Sequence, residues 1–134
     1  MTIWMLDTNI VSNTVHRRSA ALAERLPKVP TNQLCVSSVS YGETRFGQAQ
    51  RPASMRLAEA IADFFTEVAV LPWTRETALA YGDLRLAMKR LGKALQPLDM
   101  LIAAHALEAG ATLVTNDRAF QYVPGLEVED WTAE

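Results

Sequence analysis

The stretch IWMLDTNIV, from Ile3 to Val11, decides the fold. Four apolar residues are followed by Asp7, Thr8 and Asn9, after which the sequence turns apolar again. An apolar run this short, ended by polar residues, is typical of a buried strand rather than a helix. We predict that a short helix then begins at Asp7 or Thr8. The stretch therefore predicts a strand–helix unit with three polar side chains at its junction.

The rest of the chain repeats this alternation of short strands and helices. Further strands are predicted at residues 34–37, 68–71, 112–115 and about 126–128. The predicted helix starts are Ser19, Ser38 or Ser40, Ser54, Thr74 and Pro97, and Gly92 and Gly110 mark two stops. This order predicts an α/β fold, a three-layer α/β/α sandwich with a mainly parallel central sheet.

Length and composition favour one soluble globular domain over residues 1–134, with a net charge of −2. No apolar run is long enough to span a bilayer, and Arg17 and Arg18 follow the first apolar stretch instead of preceding it, which is the wrong order for a secretory signal. We therefore expect a cytoplasmic protein without a membrane partner. The only cysteine, Cys35, is expected to be a buried apolar residue.

Four acidic residues stand at predicted element boundaries. Asp7 and Asp117 each follow a predicted strand, so both should lie at the carboxyl edge of the sheet, where ligands bind in such folds. Asp99 and Glu43 fall near the starts of helices. Each acid alone also has a structural explanation, as a helix cap, a partner of the helix dipole or, for Glu43 with Ser40, part of a capping box.

The combination of the four acids is harder to explain structurally. Carboxylates gathered at one edge repel one another unless one is protonated or a cation lies between them. Hard oxygen ligands suit Mg²⁺ or Mn²⁺. In this interpretation Asp7 is a metal ligand, and Thr8 and Asn9 orient it or a substrate phosphate.

Basic residues offer a separate hypothesis about a partner. The acidic balance lacks the basic surplus typical of nucleic-acid binders, so such a partner would have to meet a local positive patch. The stretch from Arg85 to Lys93 forms a basic stripe that could contact RNA phosphates, as could Arg45, Arg51 and Arg56. A solvated helix face is the alternative for that stripe.

The motifs MLDTN, SSVSYGE, LQPLDMLIAAHAL, GATLVTND and the late EDW together resemble a PIN-domain ribonuclease of the VapC toxin type, from Met5 to Trp131. The resemblance places the acidic site on Asp7, Glu43, Asp99 and Asp117. It implies that Asp7 and Asp99 bind magnesium, that Asp117 completes the shell through water, and that Thr115 and Asn116 line the pocket. One departure is that Thr44 and Arg45, instead of an apolar pair, follow Glu43.

The resemblance further implies an activity and partners. The implied protein is a Mg²⁺-dependent endoribonuclease that leaves a 5′-phosphate and a 3′-hydroxyl, with Mn²⁺ as a substitute metal. It would be a homodimer that a cognate antitoxin silences in a larger assembly.

Three alternatives are weighed against the nuclease. A receiver-like signalling domain would need an acidic pair after the first strand, where only Asp7 stands, and a late strand-ending lysine that is missing after Gly92. A haloacid-dehalogenase-type phosphatase would need its second acid at Asn9. A non-catalytic interaction domain, whose acids only cap helices, stays open at this point.

Overall fold

The computed structural model describes residues 1–133 and has a central sheet of five parallel strands. The strands are β1 (Trp4–Leu6), β2 (Leu34–Ser37), β3 (Ala69–Leu71), β4 (Thr112–Val114) and β5 (Val128–Glu129). Their order across the sheet is β3-β2-β1-β4-β5, and every adjacent pair is parallel. The chain thus reverses its direction of winding at β1, which places the first strand at the centre. The predicted three-layer α/β fold is confirmed.

Helices connect the strands. They are α1 (Thr8–Val15), α2 (Ala20–Arg25), α3 (Ser38–Ala49), α4 (Met55–Glu67), α5 (Arg75–Leu91) and α6 (Pro97–Ala109). Three short 3₁₀ segments lie at Leu26–Lys28, Thr31–Gln33 and Arg118–Tyr122. No helix within residues 1–133 combines the length and the apolar character needed to cross a membrane.

Local sequence signals explain most helix ends. The side chains of Ser19, Ser54 and Thr74 each accept a hydrogen bond from a backbone N–H of the first turn that follows. Such capping stabilises a helix by about 1 kcal/mol. Gly92 and Gly110 end α5 and α6 in the left-handed conformation, with φ of 67° and 65°, which glycine adopts without a steric penalty.

The two faces of the sheet bury separate apolar cores, because successive strand residues point to opposite faces. Met5 packs on one face against residues of α5 and α6, while its neighbour Leu6 packs on the other with residues of α1 and α2. Helix α6 is buried along most of its length, as its apolar sequence predicts. Cys35 is buried and free, in agreement with its predicted apolar role.

The structure decides one open alternative and corrects one boundary. Helix α3 begins at Ser38, the first of the two predicted starts, with Ser37 as its cap, so Ser40 lies inside the helix and forms no capping box with Glu43. The last strand covers Val128–Glu129 instead of residues 126–128, because Val128 pairs with Leu113 of β4. The side chain of Glu129 fixes this short strand by accepting hydrogen bonds from the indoles of Trp4 and Trp131.

Candidate active site

Asp7 lies at the carboxyl end of the central strand β1 and is only 3% exposed. Its Oδ1 accepts a hydrogen bond of 2.9 Å from the backbone N–H of Ile10, which caps α1. Its Oδ2 accepts a short hydrogen bond of 2.5 Å from the hydroxyl of Thr115, at the end of the neighbouring β4. Asp7 therefore caps α1 and, through Thr115, also links the carboxyl ends of β1 and β4.

Glu43 is held beside this junction by a threonine that the opening motif supplies. The Thr8 hydroxyl donates to Glu43 Oε1 at 2.8 Å and lies 3.0 Å from the hydroxyl oxygen of Ser40. Ser40 and Glu43 are both on α3, one turn apart. The start of α1 and the first half of α3 are thus joined through side chains at the edge of the sheet.

Asp99 and Asp117 come from the second half of the chain. Asp99 is half-buried in the first turn of α6, after Pro97 at the first helical position. Asp117 follows β4, and its Oδ1 accepts a hydrogen bond of 2.9 Å from the N–H of Ala119. The N–H of Asp117 donates to Thr115 Oγ1 at 3.1 Å, so Thr115 links Asp117 to Asp7.

Electrostatic repulsion connects the four acids. Burial raises the pKa of Asp7 to about 6, and the charges of Asp99 and Asp117 add to this rise, while hydrogen bonds from Thr115 and Ile10 oppose it. The pKa of Asp99 is raised by burial and by the charges of Asp117 and Glu43. Asp99 therefore lies within electrostatic range of the other three acids, and Asp7 lies within range of Asp99 and Asp117. Their role in a reaction stays a prediction.

These residues suit a magnesium-type ion by their chemistry. Within residues 1–133, no three acidic, histidine or cysteine side chains are close enough to hold an ion together. Mg²⁺ does not require such a set, because it keeps several waters and takes one or two carboxylates directly. Burial, with the charges of neighbouring acids, raises the pKa of Asp7 and of Asp99, so both carboxylates are costly to keep ionised. An ion between the carboxylates would remove this repulsion, so the donor set fits.

Two features near the acids escape sequence reasoning. Contacts such as Thr8–Glu43 depend on how α1 packs against α3, and no spacing in the sequence encodes it. His105 is buried against Ser37, with its Nδ1 2.8 Å from the serine Oγ, and this partner on β2 could not be read from the sequence. The position of Thr115 beside the acids could be expected from the sequence, because Thr115 belongs to the GATLVTND motif.

Comparisons with known proteins identify the family of this chain. A family model for the PIN domain matches residues 4–126. The chain is 34% identical over 130 residues to the tRNA(fMet)-specific endonuclease VapC of Shigella flexneri, covering 96% of this chain and 98% of that protein. It is 32% identical over 129 residues to the Salmonella typhimurium protein of the same name, covering 96% and 97% of the two chains.

Solved structures show the same fold. The crystal structure of VapBC2 from Rickettsia felis, bound to a DNA fragment from its promoter, contains a chain with a TM-score of 0.89 and 27% identity. The match covers 97% of this chain and 99% of that one. DNA-bound VapBC from Salmonella typhimurium gives a TM-score of 0.83 at 31% identity, with 98% and 99% covered. The chain therefore belongs to the PIN domain family and, within it, to the VapC group.

Proposed function

We propose that this protein is an endoribonuclease that hydrolyses RNA phosphodiester bonds at Asp7, Glu43, Asp99 and Asp117, and that it is the toxin of a toxin–antitoxin pair. The observation that carries the proposal is the buried Asp7, whose charge is repelled by Asp99 and Asp117 at the carboxyl edge of the sheet. A buried carboxylate whose pKa is raised by burial and by neighbouring carboxylates is typical of functional sites. The names of the similar VapC proteins support RNA as the substrate.

The proposed site binds Mg²⁺, with Mn²⁺ as a substitute. Asp7 and Asp99 would hold the ion, and Asp117 would complete its shell through water. A bound divalent ion supplies a Lewis acid that offsets charge on the phosphate and makes water easier to deprotonate.

The remaining steps belong to the protein's own groups. Glu43, whose Oε1 is fixed by Thr8, orients the attacking water and accepts its proton. The hydroxyl of Thr115 holds Asp7 and Asp117 in fixed relative positions, because it donates to the Asp7 carboxylate and accepts from the backbone N–H of Asp117. Attack of the oriented water on phosphorus, in line with the departing 3′-oxygen, would leave a 5′-phosphate and a 3′-hydroxyl.

Chelation should silence the purified enzyme. We expect EDTA to stop cleavage of a cellular RNA pool and added Mg²⁺ or Mn²⁺ to restore it. The carboxylates are negative, so without a metal cation they would repel the negative phosphate. The measurement is gel analysis of the RNA, with Ca²⁺ addition as a comparison. RNA cleavage that continues in excess EDTA would contradict the metal-dependent mechanism.

An antitoxin partner is part of the proposal. The similar structures from Rickettsia felis and Salmonella typhimurium are of DNA-bound VapBC2 and VapBC, and a further structure of the same fold is described as a member of the VapBC family of toxin–antitoxin systems. We further propose that the chain forms homodimers, which light scattering of the purified protein would test.

Expression of the wild-type chain alone should arrest bacterial growth. The D7N variant, expressed to the same level, should not, because it keeps the fold but loses a metal ligand. Growth curves after induction provide the measurement. Normal growth of cells that contain soluble protein with RNA-cleaving activity would refute the toxin assignment.

A further inference from the structure

A cavity of about 260 Å³ lies between α1 and α3, and Glu43 is the one of the four acids that lines it. Its walls at one end include Thr8 and Glu43, which belong to the proposed active site. Its other end is lined by His16, Arg18 and Arg51. With a rise of about 1.5 Å per residue, the helix from Thr8 to His16 separates the two ends by about 12 Å. The cavity therefore joins an acidic end to a basic end.

The basic end is built by the ends of two helices. After α1, the N–H of Arg18 donates to Asn13 O at 2.9 Å and that of Arg17 donates to Thr14 O at 3.2 Å, which is a Schellman turn. Arg17 adopts the left-handed conformation in this turn, with φ of 54°, where glycine is usual. This turn fixes the backbone of Arg18 beside the cavity. Arg51 follows the end of α3, where its N–H donates to Gln48 O at 3.0 Å.

The positive charge at this end is not neutralised by the protein. Within residues 1–133 the salt bridges are Arg25–Glu129 and Lys28–Glu24, so neither Arg18 nor Arg51 is paired with a carboxylate. Burial lowers the pKa of His16, and the charges of Arg18, Arg51 and Arg56 lower it further. Arg18 and Arg51 line the same cavity and both lie within electrostatic range of His16, so an anion at this end would meet both charges.

We propose that the basic end of this cavity binds a backbone phosphate of the RNA strand, on a nucleotide that flanks the bond cleaved at the acids. This inference rests on the proposed function, because it assumes that the scissile phosphate lies at the acidic end. An RNA strand that places one phosphate at the acids carries its next phosphates along the groove. Arginine guanidinium groups match phosphate oxygens in geometry and charge.

The size of the cavity agrees with this occupant. Pockets that enclose a whole drug-sized ligand measure about 300–1,000 Å³, so this cavity holds a part of a polymer. Leu57 and Ile61 supply apolar contact at its wall, and Asn9 and Ser12 add neutral polar groups. Such groups can contact a ribose, including its 2′-hydroxyl, which distinguishes RNA from DNA.

The test compares the R18A/R51A double variant with the wild type in RNA binding and in cleavage. Binding is measured in the D7N background without metal, so that it does not depend on catalysis. We expect RNA affinity to fall about tenfold or more and kcat to change little. The plot of log affinity against log salt should lose about 0.7 from its slope, since that is the contribution of one neutralised phosphate on a single strand.

Two controls sharpen this test. K28A removes an exposed cation that does not line the cavity and should bind RNA like the wild type. R18K/R51K should restore part of the affinity, since it restores the charge.

Modified RNA locates the phosphate that the arginines bind. RNA oligonucleotides with one neutral methylphosphonate at successive positions should show one flanking position at which the wild type loses affinity and R18A/R51A does not.

The outcomes separate this inference from the proposed function. If the wild type cleaves no RNA while D7N still binds RNA through the two arginines, the nuclease proposal fails and the phosphate subsite stands. If R18A/R51A binds and cleaves RNA as K28A does, the subsite is refuted. Loss of inhibition by the antitoxin without loss of RNA affinity would also refute it, and would assign the cavity to the protein partner.

Discussion

Exchange of Asp7 for asparagine should reduce RNA cleavage by a factor of about 100 or more, with the fold intact. A metal ion at such a site stabilises the transition state by several kcal/mol, and each 1.36 kcal/mol corresponds to tenfold in rate. Asparagine caps helices about as well as aspartate, so the bond to the N–H of Ile10 should survive. The measurement is kcat/KM on one RNA substrate, with circular dichroism to verify the fold.

The controls for this exchange lie within the same chain. D99N should cause a similar loss, because Asp99 is the other proposed direct ligand. D83N makes the same chemical change on the exposed part of α5 and should leave cleavage unaltered. If D7N and D99N cleave RNA at the wild-type rate, the acids are only structural caps and the non-catalytic alternative is correct.

The same D7N exchange should make the metal-free protein more stable at neutral pH, by up to about 3 kcal/mol. The pKa of Asp7 is raised from 3.8 to about 6, roughly two pH units at 1.36 kcal/mol each. The buried charge therefore costs the wild type free energy that a neutral amide does not. Chemical denaturation of both proteins in EDTA at pH 7.5 measures the difference in the free energy of unfolding.

The pH dependence of this difference has a definite sign. Because the pKa of Asp7 is higher in the folded state, the folded protein binds this proton more tightly, and the cost of ionisation is absent below about pH 3.8. It grows as pH rises and is complete above about pH 6. The advantage of D7N should therefore vanish towards pH 4. A D7N protein that is less stable than the wild type at pH 7.5 would contradict this account.

Magnesium should reverse the order of stability. An ion that binds only the folded state stabilises it by mass action, so Mg²⁺ should raise the Tm of the wild type. D7N lacks one proposed ligand and should show little change. This thermal shift detects binding of the metal independently of cleavage.

Local chemistry explains why much of the fold could be predicted. Strand β1 is a continuous apolar run, Ser54 and Thr74 cap helices, and the φ of Gly92 and Gly110 suits glycine. These signals act over a few residues, so the sequence displays them directly. The last strand was misplaced because its position depends on pairing with β4, which involves Leu113, far away along the chain.

The candidate site was predictable in part for a similar reason. Asp7 and Asp117 follow apolar strands, so the rule that parallel strands share a carboxyl edge brings them together. Glu43 was ambiguous because the sequence allowed α3 to start at Ser38 or at Ser40. Only the packing of α1 against α3, seen in the Thr8–Glu43 hydrogen bond, shows how its carboxylate is held.

The reversal of winding at β1 has a consequence for how the protein comes into being. Asp7 and Glu43 precede the outermost strand on one side of the sheet, whereas Asp99 and Asp117 belong to the part that builds the other side. A ribosome that has made only the first two-thirds of the chain has therefore produced two of the four proposed site acids and only one of the proposed metal ligands, Asp7. Under the proposed function, the growing polypeptide is harmless to the RNA around it until Asp99 and Asp117 have been made and have joined Asp7 at the sheet edge.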